Sequence, residues 1–125
     1  MTDLMALRRK MERYRHRVDR EANALKESYL ALERLHDFYG SLNSKDRLLA
    51  DQILGEWVLS DDENVRFDAM SLVDDFSIVT ALPALKELVH RLSASVAPSA
   101  PYELNKVSRV IGDLIAARSH PPPEQ

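Results

Sequence analysis

The amino-acid sequence predicts an all-helical protein, and three observations support that fold class. Only three of the 125 residues are glycine. β-Branched residues are few, whereas the helix formers leucine, alanine, glutamate and arginine are abundant. Apolar residues recur at helical spacing in five successive segments. At this length we expect a single helical domain over residues 1–118, large enough to bury a modest core.

The first segment, about residues 3–39, carries an apolar residue at every seventh position. This row consists of Leu4, Met11, Val18, Leu25, Leu32 and Tyr39. The segment is not a strict coiled coil, because Glu21 and Ser28 occupy positions where a continuous seam needs apolar residues. The pattern predicts one long N-terminal helix or two helices joined near residues 20–24, with Gly40 at the C-terminal end.

Four further helices are predicted at about residues 45–59, 62–76, 81–95 and 101–118. Ser44, the acidic cluster 61–63 and Thr80 are the predicted caps of the first three. Pro83 suits a first helical turn, where its missing N–H costs little. We attribute Gly55, inside the helix at 45–59, to close packing against a neighbouring helix. Residues 119–125 form a proline-rich tail that we expect to be disordered.

The inner faces of these helices define the predicted core. In the middle of the chain the residues expected to be buried are Trp57, Ala69, Val73, Phe76, Leu85 and Leu88. In the last helix the predicted buried stripe is Leu104, Val107, Ile111, Leu114 and Ile115.

Residues 60–92 resemble a HEAT-like repeat, the helical hairpin of armadillo-type α-α superhelices. The resemblance rests on an acidic turn followed by Val65-Arg66, on the small residue Ala69, and on the Ala-Leu-Pro-Ala-Leu sequence at 81–85. The inter-helix turn departs from the pattern, since Ser77-Ile78 replaces the usual Gly-Asp. The resemblance implies a short HEAT-like stack of about five helices. It also implies a non-catalytic scaffold that binds a macromolecular partner.

Several classes of function have little support in the sequence. The chain has no cysteine, which excludes thiol catalysis and zinc–thiolate sites. Two Glu-x-x-His pairs occur, at 33–36 and 87–90, but helical geometry places the second pair away from the predicted buried face. We therefore expect no enzymatic activity, no catalytic or metal-binding residues and no cofactor. No apolar run approaches the length needed to span a membrane, and no signal peptide is evident. We therefore expect a cytoplasmic protein with no membrane association.

Charge is distributed unevenly and suggests two interaction surfaces. Residues 1–20 contain seven basic and three acidic residues, and residues 46–75 contain nine acidic and two basic residues. The basic residues selected as candidate partner contacts are Arg9, Arg13 and Arg17. The acidic candidates are Asp51, Asp61, Asp62, Asp68 and Asp75.

The favoured function is a protein–protein interaction module of HEAT-like type, in the class of small bacterial neutralising (immunity) or regulatory adaptor proteins. Its partner would be another protein or a second copy of the chain, giving a homodimer. The alternative is a nucleic-acid-binding protein that uses the basic N-terminal helix. Nucleic acid is the less favoured partner, because the chain as a whole carries a net charge of −3.

Overall fold

The protein is all-helical in a computed structural model that describes residues 3–25 and 28–119, without the side chains of residues 19, 21–25, 28–31, 118 and 119. The described residues contain six α-helices and no strand, which confirms the predicted class. The helices are α1 (Leu4–Leu25), α2 (Ser28–Gly40), α3 (Ser44–Val58), α4 (Glu63–Asp75), α5 (Leu82–Ser93) and α6 (Ala100–Ser119), with a 3₁₀ turn at Val79–Ala81.

The described part of the first segment forms α1 and α2, so the described residues contain six helices rather than five. α1 ends at Leu25, a little beyond the predicted junction. None of the described helices is long and apolar enough to span a membrane. The predicted disordered tail falls almost wholly outside the described residues.

The helices form two compact units, Met1–Ile53 and Leu54–Gln125, and the division falls within α3. In the first unit α1 packs along α2. Lys10 contacts Phe38 and Tyr14 contacts Arg34, so the two helices run antiparallel. The buried apolar side chains of this pair are Leu7, Met11, Val18, Leu35 and Tyr39.

A polar cluster connects the end of α2 to α3 within the first unit. Tyr39 donates a hydrogen bond of 2.6 Å to Asp51, and Arg47 donates one of 2.6 Å to the Gly40 carbonyl at the end of α2. Burial raises the pKa of Asp51 above its ordinary value. The predicted cap of α3 was wrong: Asn43, not Ser44, accepts a 2.8 Å hydrogen bond from the Asp46 N–H.

In the second unit α6 is the central element, because both α4 and α5 pack against it. Within residues 63–93, α4 and α5 form no comparably close pair with one another. A HEAT-like hairpin needs its two helices side by side, so the superhelical arrangement is not confirmed. The resemblance of residues 60–92 remains a prediction from the sequence.

The core of the second unit largely agrees with the prediction over residues 57–88 and differs from it in α6. Trp57, Ala69, Val73, Leu85 and Leu88 are buried as predicted, whereas Phe76 is only half-buried. The buried seam of α6 consists of Ala100, Glu103, Val107, Val110 and Leu114. Of the predicted stripe only Val107 and Leu114 are buried; Leu104 and Ile111 are half-buried and Ile115 is exposed.

Glu103 lies in this apolar seam because Arg66 of α4 neutralises it. The carboxylate is 1% exposed. It accepts hydrogen bonds of 2.6 Å from Arg66 Nε and 2.8 Å from Nη2. The third arm of the guanidinium, Nη1, donates a 2.9 Å bond to the Ser60 carbonyl. The hydrogen bond to Glu103 raises the pKa of Arg66, so the arginine stays charged.

The helix termini at the starts of α4 and α5 agree with the prediction at one position and differ at the other. Asp62 caps α4 as expected, accepting a 2.8 Å bond from the Asn64 N–H. Thr80 does not cap α5, because it belongs to the 3₁₀ turn and Ala81 is the cap residue.

The interior glycine of α3, Gly55, is not explained by close packing, since a Cβ there would meet no atom of the described residues within 4 Å.

The turn after α4 contains a left-handed residue that is not glycine. Ser77 has a φ of 50°. The Ile78 N–H donates to the Val73 carbonyl at 2.9 Å, and the Ser77 N–H donates to the Asp74 carbonyl at 3.3 Å. These two bonds form a Schellman motif, in which glycine usually takes the left-handed position. Ile78 is buried and supplies the apolar contact of the motif.

We expect Ser77→Gly to raise the free energy of unfolding by about 0.5–1 kcal/mol. Glycine adopts a positive φ without the steric cost of a Cβ, and this gain exceeds its larger entropy loss on folding. Urea denaturation monitored by circular dichroism measures the change. Ser77→Ala is the matched control, which keeps the Cβ and should give no gain. Destabilisation by glycine would contradict the left-handed conformation at this position.

A pair of carboxyl groups links α4 to α6 at a second point. The carboxyl group of Asp74 in α4 lies close enough to that of Asp113 in α6 for the two to interact. Burial raises the pKa of Asp74, and the hydrogen bond and charge of Asp113 raise it further. Asp75 adds to the rise and Arg109 opposes it.

We expect Asp74→Asn to raise the melting temperature at pH 7 and to change it little at pH 3. The folded pKa of Asp74 lies above the ordinary value of 3.8, so the folded state binds more protons than the unfolded state. The pair therefore contributes its full stabilisation to the free energy of unfolding at pH values below the ordinary pKa. That stabilisation is lost as the pH rises through the raised pKa of the folded state. The side-chain amide introduced at position 74 can donate a hydrogen bond to Asp113 at every pH. Equal effects at both pH values, in thermal melts, would contradict this account.

Candidate anion-binding groove

A groove lined by basic side chains runs along α1 in the first unit. Lys10, Arg13, Arg17 and Arg20 are spaced by three, four and three residues, which places them on one face of the helix. The groove has a volume of about 500 Å³. It is lined by Lys10, Arg13, Tyr14, His16, Arg17 and Arg20 of α1 and by Phe38 of α2. None of these described lining residues is acidic, so the groove favours an anionic occupant.

Two aromatic rings line this basic groove, and each has one of the groove's cations over it. The centroids of Tyr14 and Phe38 lie 4.8 Å apart. The Arg17 guanidinium carbon lies 5.0 Å from the Tyr14 centroid, and Lys10 Nζ lies 5.7 Å from that of Phe38. Both distances are within the range of cation–π interactions. The rings therefore position positive charge and also contact one another.

The predicted basic residues fall partly within the groove. Arg13 and Arg17 line it, whereas Arg9 is exposed on α1 and is not one of the lining residues. Arg20 and Lys10 belong to the same basic segment and could have been selected from the three-four-three spacing. Phe38 could not, since it comes from another helix.

The predicted acidic residues do not form one surface. Asp68 and Asp75 are seven residues apart, which puts them on one side of α4 in the second unit, and Asp61 precedes that helix. Asp62 caps that helix, and Asp51 belongs to the first unit, where Tyr39 hydrogen-bonds it. Asp51 is therefore part of the structure of its own unit. The roles of all the predicted contact residues remain predictions.

A smaller cavity of about 310 Å³ lies on α6, in the second unit. Tyr102, Asn105, Lys106 and Arg109 line it. Lys106 Nζ lies 4.7 Å from the centroid of the Phe67 ring. This site has two cations against the four arginine and lysine side chains of the basic groove, which makes it the weaker candidate for an anionic ligand.

Each of the two Glu-x-x-His pairs lies within one helix, the first in α2 and the second in α5. Among the described residues no group of three or more His, Asp or Glu side chains could hold a metal ion. His36 Nδ1 instead lies 2.8 Å from the Leu32 carbonyl oxygen of its own helix.

Compared with protein-family models, with curated proteins and with solved structures, the chain matches none.

Proposed function

We propose that the protein is a non-catalytic interaction module whose basic groove binds an acidic segment of a partner protein. The observation that carries the proposal is the convergence of Lys10, Arg13, Arg17 and Arg20 on one groove. A role as a neutralising or regulatory adaptor in the cytoplasm belongs to the same proposal. The groove supports only the binding of an acidic segment, and that part of the proposal does not depend on the HEAT-like resemblance.

Two features favour an acidic protein over nucleic acid. Single-stranded nucleic acids bind grooves in which aromatic faces are available to stack on bases. Tyr14 and Phe38 lie against one another at an interplanar angle of 31°, and each also has a cation over its ring. In addition, residues 21–125 carry ten basic and seventeen acidic residues, which would repel a long polyanion extending beyond α1.

The test is the affinity of purified protein for a fluorescent acidic peptide, measured by anisotropy at physiological salt. We expect the combined change Arg13→Gln, Arg17→Gln and Arg20→Gln to weaken binding roughly tenfold or more, because three exposed ion pairs are lost. Arg9→Gln, Lys45→Gln and Arg91→Gln together form the matched control. They remove the same charge from exposed positions outside the groove and should change affinity much less.

The same assay with duplex DNA tests the alternative function. DNA that binds more tightly than the acidic peptide, with affinity falling steeply as salt rises, would replace the proposal with nucleic-acid binding. Sedimentation of the protein alone tests a second copy as the partner. A dimer that dissociates at high salt and is lost in the groove variant would identify the chain itself as the source of the acidic segment.

A further inference from the structure

The basic groove concentrates positive charge on a short length of helix. Lys10 and Arg20 are ten residues apart, so the four cations lie within about 15 Å along the axis of α1. His16 lines the same groove and can add an N–H donor. An acidic segment that offers one carboxylate per residue neutralises such a cluster only by bringing several side chains together. A group with two charges on one centre supplies with a single side chain the charge that otherwise takes two carboxylates.

The positions of Lys10 and Arg17 are restricted before any ligand binds. Arg17 lies over the Tyr14 ring and Lys10 over the Phe38 ring, while the two rings contact each other. Side chains held in place lose less conformational entropy on binding, which increases affinity for a ligand that fits the arrangement. The ligand that fits must therefore accept hydrogen bonds from more than one cation at once.

A phosphomonoester meets these requirements better than a carboxylate. It carries a charge of about −1.5 to −2 at neutral pH and has three strong acceptor oxygens. Arginine guanidinium groups donate paired hydrogen bonds to phosphate, and three of the four cations of the groove are arginines. A carboxylate has only two oxygens and one charge, so it satisfies fewer of these donors.

We propose that the basic groove recognises a phosphorylated side chain within the acidic segment of the partner. The inference rests on the proposed function and specifies its ligand. The charge of the chain beyond α1 favours this source of phosphate over a nucleic acid, since a phosphorylated side chain places its charge in the groove alone. Phosphorylation of the partner would then strengthen the complex.

The experiment compares three peptides of one acidic sequence that differ at a central position, which holds serine, glutamate or phosphoserine. Anisotropy at physiological salt should show the phosphoserine peptide binding about tenfold more tightly than the glutamate peptide, as expected for one additional charge-assisted, paired hydrogen bond. Arg13→Lys with Arg17→Lys keeps the charge but removes the paired donors. This variant should lose most of the preference for phosphoserine, because its affinity for the phosphoserine peptide falls further than its affinity for the glutamate peptide.

Each other outcome has a defined consequence. Equal affinity for the glutamate and phosphoserine peptides overturns this inference and leaves the proposed function standing. Failure of all three peptides to bind overturns both. Inorganic phosphate that competes at the concentration at which the phosphopeptide binds would show that the peptide contributes nothing, and would overturn the assignment to a partner protein. Circular dichroism of every variant establishes that lost binding does not reflect lost fold.

Discussion

Arg66→Ala should lower the free energy of unfolding by about 3 kcal/mol at pH 7, as measured by urea denaturation. The change leaves the Glu103 carboxylate, which is 1% exposed, without the two hydrogen bonds that Arg66 donates. Breaking a buried ion pair by removing one partner typically costs about 3–5 kcal/mol. The lower end applies here, because the Arg66 side chain is 15% exposed and water can partly replace it.

Two further variants separate the buried charge from the loss of packing. Arg66→Met combined with Glu103→Leu removes both charges and should be nearly neutral or stabilising, because no unpaired group is left in the seam. Arg91→Ala, at an exposed position in the same unit, should change stability by less than about 0.5 kcal/mol. A loss below about 1 kcal/mol for Arg66→Ala would show that Glu103 is not buried as described.

Leu114→Ala should cost about 2–5 kcal/mol, whereas Ile115→Ala should cost less than about 0.5 kcal/mol. Leu114 is fully buried in the seam of α6, so its truncation leaves a cavity. Ile115 is the next residue along the helix and is 47% exposed, so it is a matched aliphatic control. Both were predicted from the sequence to be buried. Similar losses for the two variants in thermal and urea denaturation would favour the predicted stripe over the observed seam.

The helices could be predicted because the signals that define them are local. Apolar spacing located the four helices after residue 44 to within about two residues, and the acidic turn before α4 correctly indicated its cap. The caps of α3 and α5 were wrong by one residue each. At α3, Asn43 and Ser44 have similar capping ability and stand side by side. At α5, a 3₁₀ turn that includes Thr80 precedes the helix. The helix pairing needs contacts between segments distant in sequence, which one sequence does not reveal.

The face of α6 was misassigned for a physical reason that involves one residue. Counting apolar residues cannot place Glu103 in a seam, so the predicted stripe was rotated toward Leu104 and Ile115. Only its partner Arg66, 37 residues away, makes the burial of Glu103 possible. Arg66 stood out in the sequence as part of the Val-Arg pair of the HEAT-like pattern. Its partner could not be predicted without the fold.

The candidate site was predictable in part, because part of it depends only on spacing within one helix. Arg13 and Arg17 lie on a single helix, so helical spacing alone places them together. Phe38 enters the groove only because α2 folds back along α1. Tyr14 has core spacing in the sequence, yet it lies half-buried in the groove beneath Arg17.

The most direct test of the basic groove as the binding surface is a titration of ¹⁵N-labelled protein with the acidic phosphoserine peptide, followed by amide chemical shifts. We predict that the largest changes fall on residues 10–20 of α1 and around Phe38, and that they disappear in the variant with glutamine at positions 13, 17 and 20. Largest changes around Tyr102, Lys106 and Arg109 of α6, with α1 unaffected, would contradict the assignment of the binding surface to α1.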